Sequence, residues 1–305
     1  MTEKMIQSDN VLRIGTRGSA LAIAQTDMVI QALSKQYADY RFEKVILKTK
    51  GDRQLDKALL EFGGKAVFVE EFEELLQSGR IDLAVHSAKD MPVQLMDGLE
   101  VSGVLERGCP LDVLVCTKNG IVKKTYKNKD EAFVIGTGSL RRRAQILQKY
   151  PHTVCKGLRG NVNTRLEKLR RGEYDAIILA AAGLERLGLQ QEEDLIYEYL
   201  TVEEMVPAAC QAIIAVEAKK GSKAAQMMKS VSDSDAWLSF QTERKALEYL
   251  GADCHAPVGI FSKKVGERIQ IELYSGQNGV SVHQQAEGEI VDRDAILQKL
   301  CGKSG

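Results

Sequence analysis

The chain has 305 residues, with 42 lysines and arginines against 42 aspartates and glutamates, enough length for two or three domains and a real core. The balanced charge excludes a global field for nucleic acid or anionic membrane, so any basic site must be local, and 6% aromatic content leaves few platforms for stacking bases. Residues 1–10 lack the apolar core of a signal peptide and no run reaches spanning length, so a cytoplasmic protein is expected.

Val11-Leu12-Arg13-Ile14 predicts a strand, and Gly15 to Ser19 a tight turn into a helix beginning near Ala20. The same design returns at Phe133-Val134-Ile135, with Gly136-Thr137-Gly138-Ser139 leading into Leu140-Arg141-Arg142-Arg143. Second strands follow in both halves, at Phe42 to Leu47 and Thr153 to Leu158, ending near Lys50-Gly51 and Arg159-Gly160. Helical spacing comes next, over Phe68 to Leu76 and Val162 to Leu169. Each helix gives way to a Gly-X-X-Asp turn and a buried strand, Leu83 to Val85 in one half and Ala176 to Leu179 in the other.

Such matched order predicts an internal repeat at domain scale: α/β, two similar parallel-sheet domains facing a cleft, plus a small third α/β domain. The expected boundaries are 1–108 with 207–226 for the first domain, 109–206 for the second and 227–305 for the third. Residues 208–218 are largely apolar and suit a return to the first domain, and 218–232 suit a linker. A helix bounded by Ser232 and Gly251, then a hairpin of Ile269 to Tyr274 and Ser281 to Gln285, make up the third.

Candidate chemistry gathers at the strand ends. Ligands of open α/β sheets bind outside the carboxyl ends of their strands, which makes Lys89 and Asp90 candidates; the alternative is a solvated turn. Glycine-rich turns at helix starts expose backbone N–H groups that suit anions. Arg17, Arg141, Arg142, Arg159 and Arg165 cluster on or near such turns, as would suit a multiply charged anion. Three consecutive arginines cannot all point one way, so two of Arg141 to Arg143 are expected to turn inward, against a wholly solvated face. Cys254, between Gly251 and Pro257, suits either a reactive thiol or a quiet structural one. The six cysteines lack paired close spacings, so no metal is expected.

Taken together, R-I-G-T-R-G-S-A-L-A (Arg13 to Ala22), G-G-K-A-V-F (Gly63 to Phe68), D-L-A-V-H-S-A-K-D-M-P (Asp82 to Pro92), I-G-T-G-S-L-R-R-R-A-Q (Ile135 to Gln145), L-R-G-N-V-N-T-R-L (Leu158 to Leu166) and D-C-H-A-P-V-G (Asp253 to Gly259) resemble the porphobilinogen deaminases, also called hydroxymethylbilane synthases. The resemblance implies three domains, two of them of type II periplasmic-binding-protein kind. It further implies a dipyrromethane cofactor joined to Cys254 by a thioether, and condensation of four porphobilinogen molecules into the linear tetrapyrrole hydroxymethylbilane for haem synthesis. Catalytic roles are implied for Asp90, Lys89 and Arg17. Cofactor or substrate contacts are implied for Ser19, Lys89, Asp90, Ser139, Arg141, Arg142, Phe68, Arg159, Arg165 and Gln211, with Arg186 nearby and Lys65 in a loop over the cleft. The implied partner is a small molecule, with no nucleic acid or membrane, and the implied state is a monomer.

Two departures stand out. Where the family pattern has glycines, this chain carries Cys210, Ala212 and Ala215, which puts backbone freedom there in question. The residue before the cofactor cysteine is Asp253. Rival readings are a solute receptor or regulator effector domain, and a family member that keeps the fold and lacks turnover.

Overall fold

The computed structural model describes residues 10–47, 69–118, 133–252, 256–276 and 281–302. Two compact units divide the chain, residues 1–106 with 214–237 and residues 107–213 with 238–305.

In the first unit, β1 (Val11–Arg17), helix α1 (Ala20–Gln36), β2 (Arg41–Leu47), α2 (Glu70–Gln77), β3 (Leu83–Ser87) and β4 (Leu99–Val104) precede the crossing to the second unit. The second unit holds β5 (Asp112–Thr117), β6 (Val134–Gly136), α3 (Leu140–Lys149), β7 (Val154–Lys156), α4 (Val162–Arg170), β8 (Ala176–Ala180), α5 (Ala181–Arg186) and β9 (Leu195–Leu200). The chain then returns to the first unit as β10 (Ile214–Lys219) and α6 (Lys223–Ser230), and α7 (Ser234–Leu250) follows. Last come β11 (Val258–Val265), β12 (Arg268–Ser275), β13 (Val282–Glu289) and α8 (Arg293–Leu300).

The sheets run β2-β1-β3-β10-β4 and β7-β6-β8-β5-β9, so the second repeats the first. Four strands of each run in one direction, three of them paired in parallel as expected, and each sheet also takes one antiparallel strand, β10 or β5. The internal echo reaches single atoms. Arg13 N–H donates to Asp82 Oδ2 at 2.8 Å and Val134 N–H to Asp175 Oδ2 at 2.8 Å, so each Gly-X-X-Asp carboxylate seals the start of the neighbouring strand.

Both faces of each sheet are covered, which explains the unbroken apolar runs. Leu83 and Val85 pack with Val29, Leu33 and Met228 on one side of the first sheet, while Ala84 packs with Phe72 and Leu76 on the other. The small antiparallel sheet β11-β12-β13 has its own core of Ile260, Ile271, Leu273, Ala246 and Leu297.

Several boundaries differ from the sequence reading. β1 continues through Gly15 to Arg17, because Gly15 lies so close to Phe72 and Ile81 that a Cβ would come 2.6 Å from Ile81 Cδ1. β7 is only three residues long. Residues 223–230 form a helix rather than a linker, with Ser222 accepting the Ala225 N–H and Met227 and Met228 buried. Strands β4, β5, β9 and β11 and helix α8 were not foreseen.

Candidate active site

The two repeated turns end in the same way. Ser19 caps α1 by accepting the Ala22 N–H at 3.2 Å, and Ser139 caps α3 by accepting the Arg142 N–H at 3.4 Å. A hydroxyl that accepts from its helix can still donate outward, so both serines remain fit to bind an acceptor oxygen at a positive helix end. Gly18 and Gly138 are exposed in both turns, and Arg17 is half-buried at the end of β1.

Beyond β3 the chain tightens into a 3₁₀ turn, Ala88–Asp90. Ala88 and Met91 are buried on either side, and the Met91 N–H closes onto the Ala88 carbonyl at 3.2 Å. This anchorage leaves Asp90 exposed, and among the described residues its carboxylate has no hydrogen bond or ion pair. Lys89 is half-buried beside it. Beneath the turn, His86 Nε2 lies 3.0 Å from Glu217 Oε2, and Phe72 meets the imidazole edge-on at 5.4 Å between ring centroids. Burial pushes the neighbouring Glu73 carboxyl up, despite the Met96 N–H that donates to it at 2.8 Å, and Glu217 pushes it further. The sequence reading passed over all three ionisable groups.

In the second unit two of the three consecutive arginines turn inward, Arg141 and Arg142, while Arg143 faces solvent. Their common partner is Asp112, fully buried at the head of β5. Arg142 donates from Nε and Nη2 to Asp112 Oδ1 at 3.1 and 2.7 Å and from Nη1 to the Ile178 carbonyl at 2.8 Å. Arg141 Nη1 lies 2.7 Å from Asp112 Oδ2 and donates to the Val206 carbonyl at 2.7 Å. The Oδ2 contact is close but poorly aligned, so Oδ1 carries the directed hydrogen bonds. Gln211 joins them, donating from Nε2 to Oδ1 at 3.0 Å and to the Pro110 carbonyl at 2.7 Å. Burial alone would raise the Asp112 carboxyl, but the guanidiniums of Arg141 and Arg142 hold it well below the usual range.

Three residues singled out in two distant stretches, Arg141 and Arg142 in one and Gln211 in the other, therefore meet at one that was missed. The signal was present, since Asp112 is the single charge in the run Pro110-Leu111-Asp112-Val113-Leu114-Val115-Cys116. A lone acid heading a buried strand needs a cation.

The other arginines sit differently. Arg165 is half-buried and donates from Nε to the Gly160 carbonyl at 2.7 Å, Arg159 is exposed, and Arg186 donates to the Ala212 carbonyl. At two of the altered glycine positions, Cys210 and Ala212 hold left-handed backbones, φ 59° and 70°, a conformation that glycine takes freely and that strains a residue with a side chain. Arg107 and Glu243 brace that path: Glu243 accepts from Arg107 Nη1 at 2.6 Å and from the Cys210 N–H, and Arg107 Nε donates to the Gln211 carbonyl at 3.0 Å.

Phe68, Lys65 and Cys254 lie outside the described residues. The described thiols are poor nucleophiles, because burial pushes Cys116 up to about 12 and Cys301 up to about 11 and also raises Cys109, Cys155 and Cys210. Among the described residues no helix is long and apolar enough to cross a membrane.

Residues 12–227 match the family model described as porphobilinogen deaminase, dipyromethane cofactor binding domain. The chain belongs to the porphobilinogen deaminase family. A porphobilinogen deaminase from Acetivibrio thermocellus is 42% identical over 298 residues, 95% of this chain and 98% of that relative. A probable porphobilinogen deaminase from Archaeoglobus fulgidus is 43% identical over 252 residues, 83% of each chain. The Thiobacillus denitrificans porphobilinogen deaminase is 37% identical over 297 residues, 96% of this chain and 95% of its own. Among solved structures, the BvgS periplasmic VFT2 domain of Bordetella pertussis aligns at a TM-score of 0.43 and 15% identity, covering 73% of this chain and 86% of that one.

The described residues fit the cofactor that this family domain binds. Dipyrromethane carries carboxylates, and the buried Nε–H of Arg141 is a donor without an acceptor. The Ser139 hydroxyl at the start of α3, in the same unit, is a further donor.

Proposed function

We propose that this chain works as its family does, as a hydroxymethylbilane synthase, with Asp90 as its central acid. It joins four porphobilinogen molecules head to tail on a dipyrromethane primer held through Cys254, releases ammonia at each joining, and frees hydroxymethylbilane by hydrolysis. The observation that carries this reading is the Asp90 carboxylate, exposed, without a partner among the described residues, and fixed at the carboxyl end of a buried strand.

Loss of ammonia leaves porphobilinogen as an electron-poor methylene pyrrole, and attack by a second ring places positive charge on a pyrrole nitrogen. A carboxylate held at that nitrogen stabilises the charge without having to reorient, most strongly where water is thin. Asp90 also accepts the ring N–H and moves a proton toward the departing amine. Lys89 and Arg17 supply positive charge for substrate acids. Ser19, Ser139, Arg141, Arg159 and Arg165 take acetate and propionate groups by charge-assisted hydrogen bonds, each contributing about 1.5–3 kcal/mol when shielded. Dipyrromethane, when bound, supplies the pyrrole carbon from which the product grows. Arg142 and Gln211 act through Asp112.

Left-handed backbones at Cys210 and Ala212 are conformations that glycine also adopts, and Gln211 between them reaches Asp112, which supports full activity over a fold without turnover. The same reading takes the working form as a cytoplasmic monomer, which sedimentation at the mass of one chain would bear out.

Intact-mass measurement tests the proposal. Protein from a porphobilinogen-replete host should weigh more than its sequence by two linked pyrrole units and should form hydroxymethylbilane. Cys254→Ser should lack both the added mass and the activity. An unmodified wild-type mass would overturn the reading.

A further inference from the structure

The buried cluster on β5 is unequal in its parts. Each of Arg142's three nitrogens has a protein acceptor, two on Asp112 Oδ1 and one on the Ile178 carbonyl. Arg141 has both contacts on Nη1, while its Nε–H is buried without an acceptor. Gln211 gives one amide hydrogen bond to Oδ1, and its own Oε1 has no donor. Two cations against one anion leave a single net positive charge, and all three groups are nearly inaccessible to water, with Arg141 at 3% and Arg142 at 7% exposure.

Orientation follows from this division. Arg142 is clamped along its Nε and Nη2 edge and cannot turn that edge toward a ligand. Arg141 is tethered at one nitrogen only, so its remaining donors can take a further acceptor.

We propose that Asp112 is a positioning residue that cancels one guanidinium charge through Arg142 and leaves Arg141 alone to hold a carboxylate of the ligand. The inference deepens the function proposed above and rests on it. Its chemical purpose is restraint. A product that gains carboxylates with every ring must be held and then released, and two uncompensated buried guanidiniums would grip each acid too tightly for that. Asp112 limits the grip to one charge.

A charge-counting series tests this, with inorganic phosphate as the probe and ionic strength held constant with chloride. The readout is the phosphate concentration giving half-maximal protection against thermal unfolding, restricted to the part that Arg141→Gln abolishes, and every full-length chain in the series, the reference called wild type included, also carries Cys254→Ser so that no cofactor carboxylate occupies Arg141. Arg142→Gln leaves no net charge and should lose that protection. The double variant Asp112→Asn with Arg142→Gln restores one net charge and should regain it. Asp112→Asn alone leaves two and should bind phosphate about tenfold more tightly than wild type. If that single variant does not fold, the other two decide. Recovery of anion binding on removal of a buried acid is not something a merely structural role would produce.

Wild-type affinity in Arg142→Gln, no recovery in the double variant, or no Arg141-dependent protection in wild type would each overturn the proposal. Phosphate protection is read without turnover, so a chain that failed to consume porphobilinogen would defeat the proposed function and leave this result distinct.

Discussion

In the first unit the buried carboxylate Glu217 meets one imidazole, His86, within electrostatic reach of a second buried acid, Glu73, whereas in the second the buried carboxylate Asp112 faces two guanidiniums. The frames are the same, down to the strand order and the sealing aspartates Asp82 and Asp175. The consequences are opposite. Burial pushes Glu73 up and Glu217 adds to the push, while Asp112, more deeply buried, is held down by the guanidiniums of Arg141 and Arg142. Strand ends differ as well. β3 delivers an exposed acid at Asp90, and β8 runs into Ala180-Ala181-Ala182 with no acid at all. Duplication of a frame has not duplicated its chemistry: the first unit carries the acid and the second the clustered buried cations.

The largest expected effect lies at Asp90. Asp90→Asn should lower turnover by about 10²- to 10⁴-fold. Its exposed position should keep the change in stability within about 0.5 kcal/mol. Unchanged turnover, measured beside thermal unfolding, would remove Asp90 from the mechanism and erase the contrast between the strand ends.

The buried carboxylates predict opposite dependences on pH. Glu73, with a folded value above its ordinary 4.5, keeps its proton longer in the folded chain, so its contribution is greatest below 4.5 and falls as pH rises through the folded value. Asp112, with a folded value below its ordinary 3.8, contributes fully above 3.8, and the contribution is lost as pH falls toward the folded value. Denaturant midpoints followed from about pH 3 to about pH 7 should show the first slope removed in Glu73→Gln and the second in Asp112→Asn. The same slope change in both variants would refute the distinction.

The smallest effect concerns the chain's own departure from its family. Ala212 holds φ 70°, a conformation that costs a side chain about 1–2 kcal/mol, against about 0.5–1 kcal/mol for the greater freedom glycine loses on folding. Ala212→Gly should therefore stabilise the protein by about 0.5–1 kcal/mol in denaturant titration. Destabilisation would show that the alanine's packing matters more than its backbone.

Much of the frame was legible because strands buried on both faces read as apolar runs and capped helices carry their punctuation. Ser139 before Leu140 and Gly251 after Leu250, with φ 59°, mark helix ends by their chemistry. β4, β5 and β9 were missed because what makes them strands is their neighbours across the sheet, far away in sequence. Asp90 was legible because a strand, a turn and an acid adjoin in sequence, and the inward turn of two arginines followed from helix geometry.

The linear order of residues determined the repeat, the helix starts and the acid at the strand end, since each depends on contacts a few residues apart. Only the folded chain decided that residues 112, 141, 142 and 211 meet, that Glu217 lies under His86, and which of the two buried arginines keeps an open donor. The physical reason is range. Periodicity and capping act along the chain, whereas the charge on a buried group is set by whatever the fold brings within a few ångströms of it.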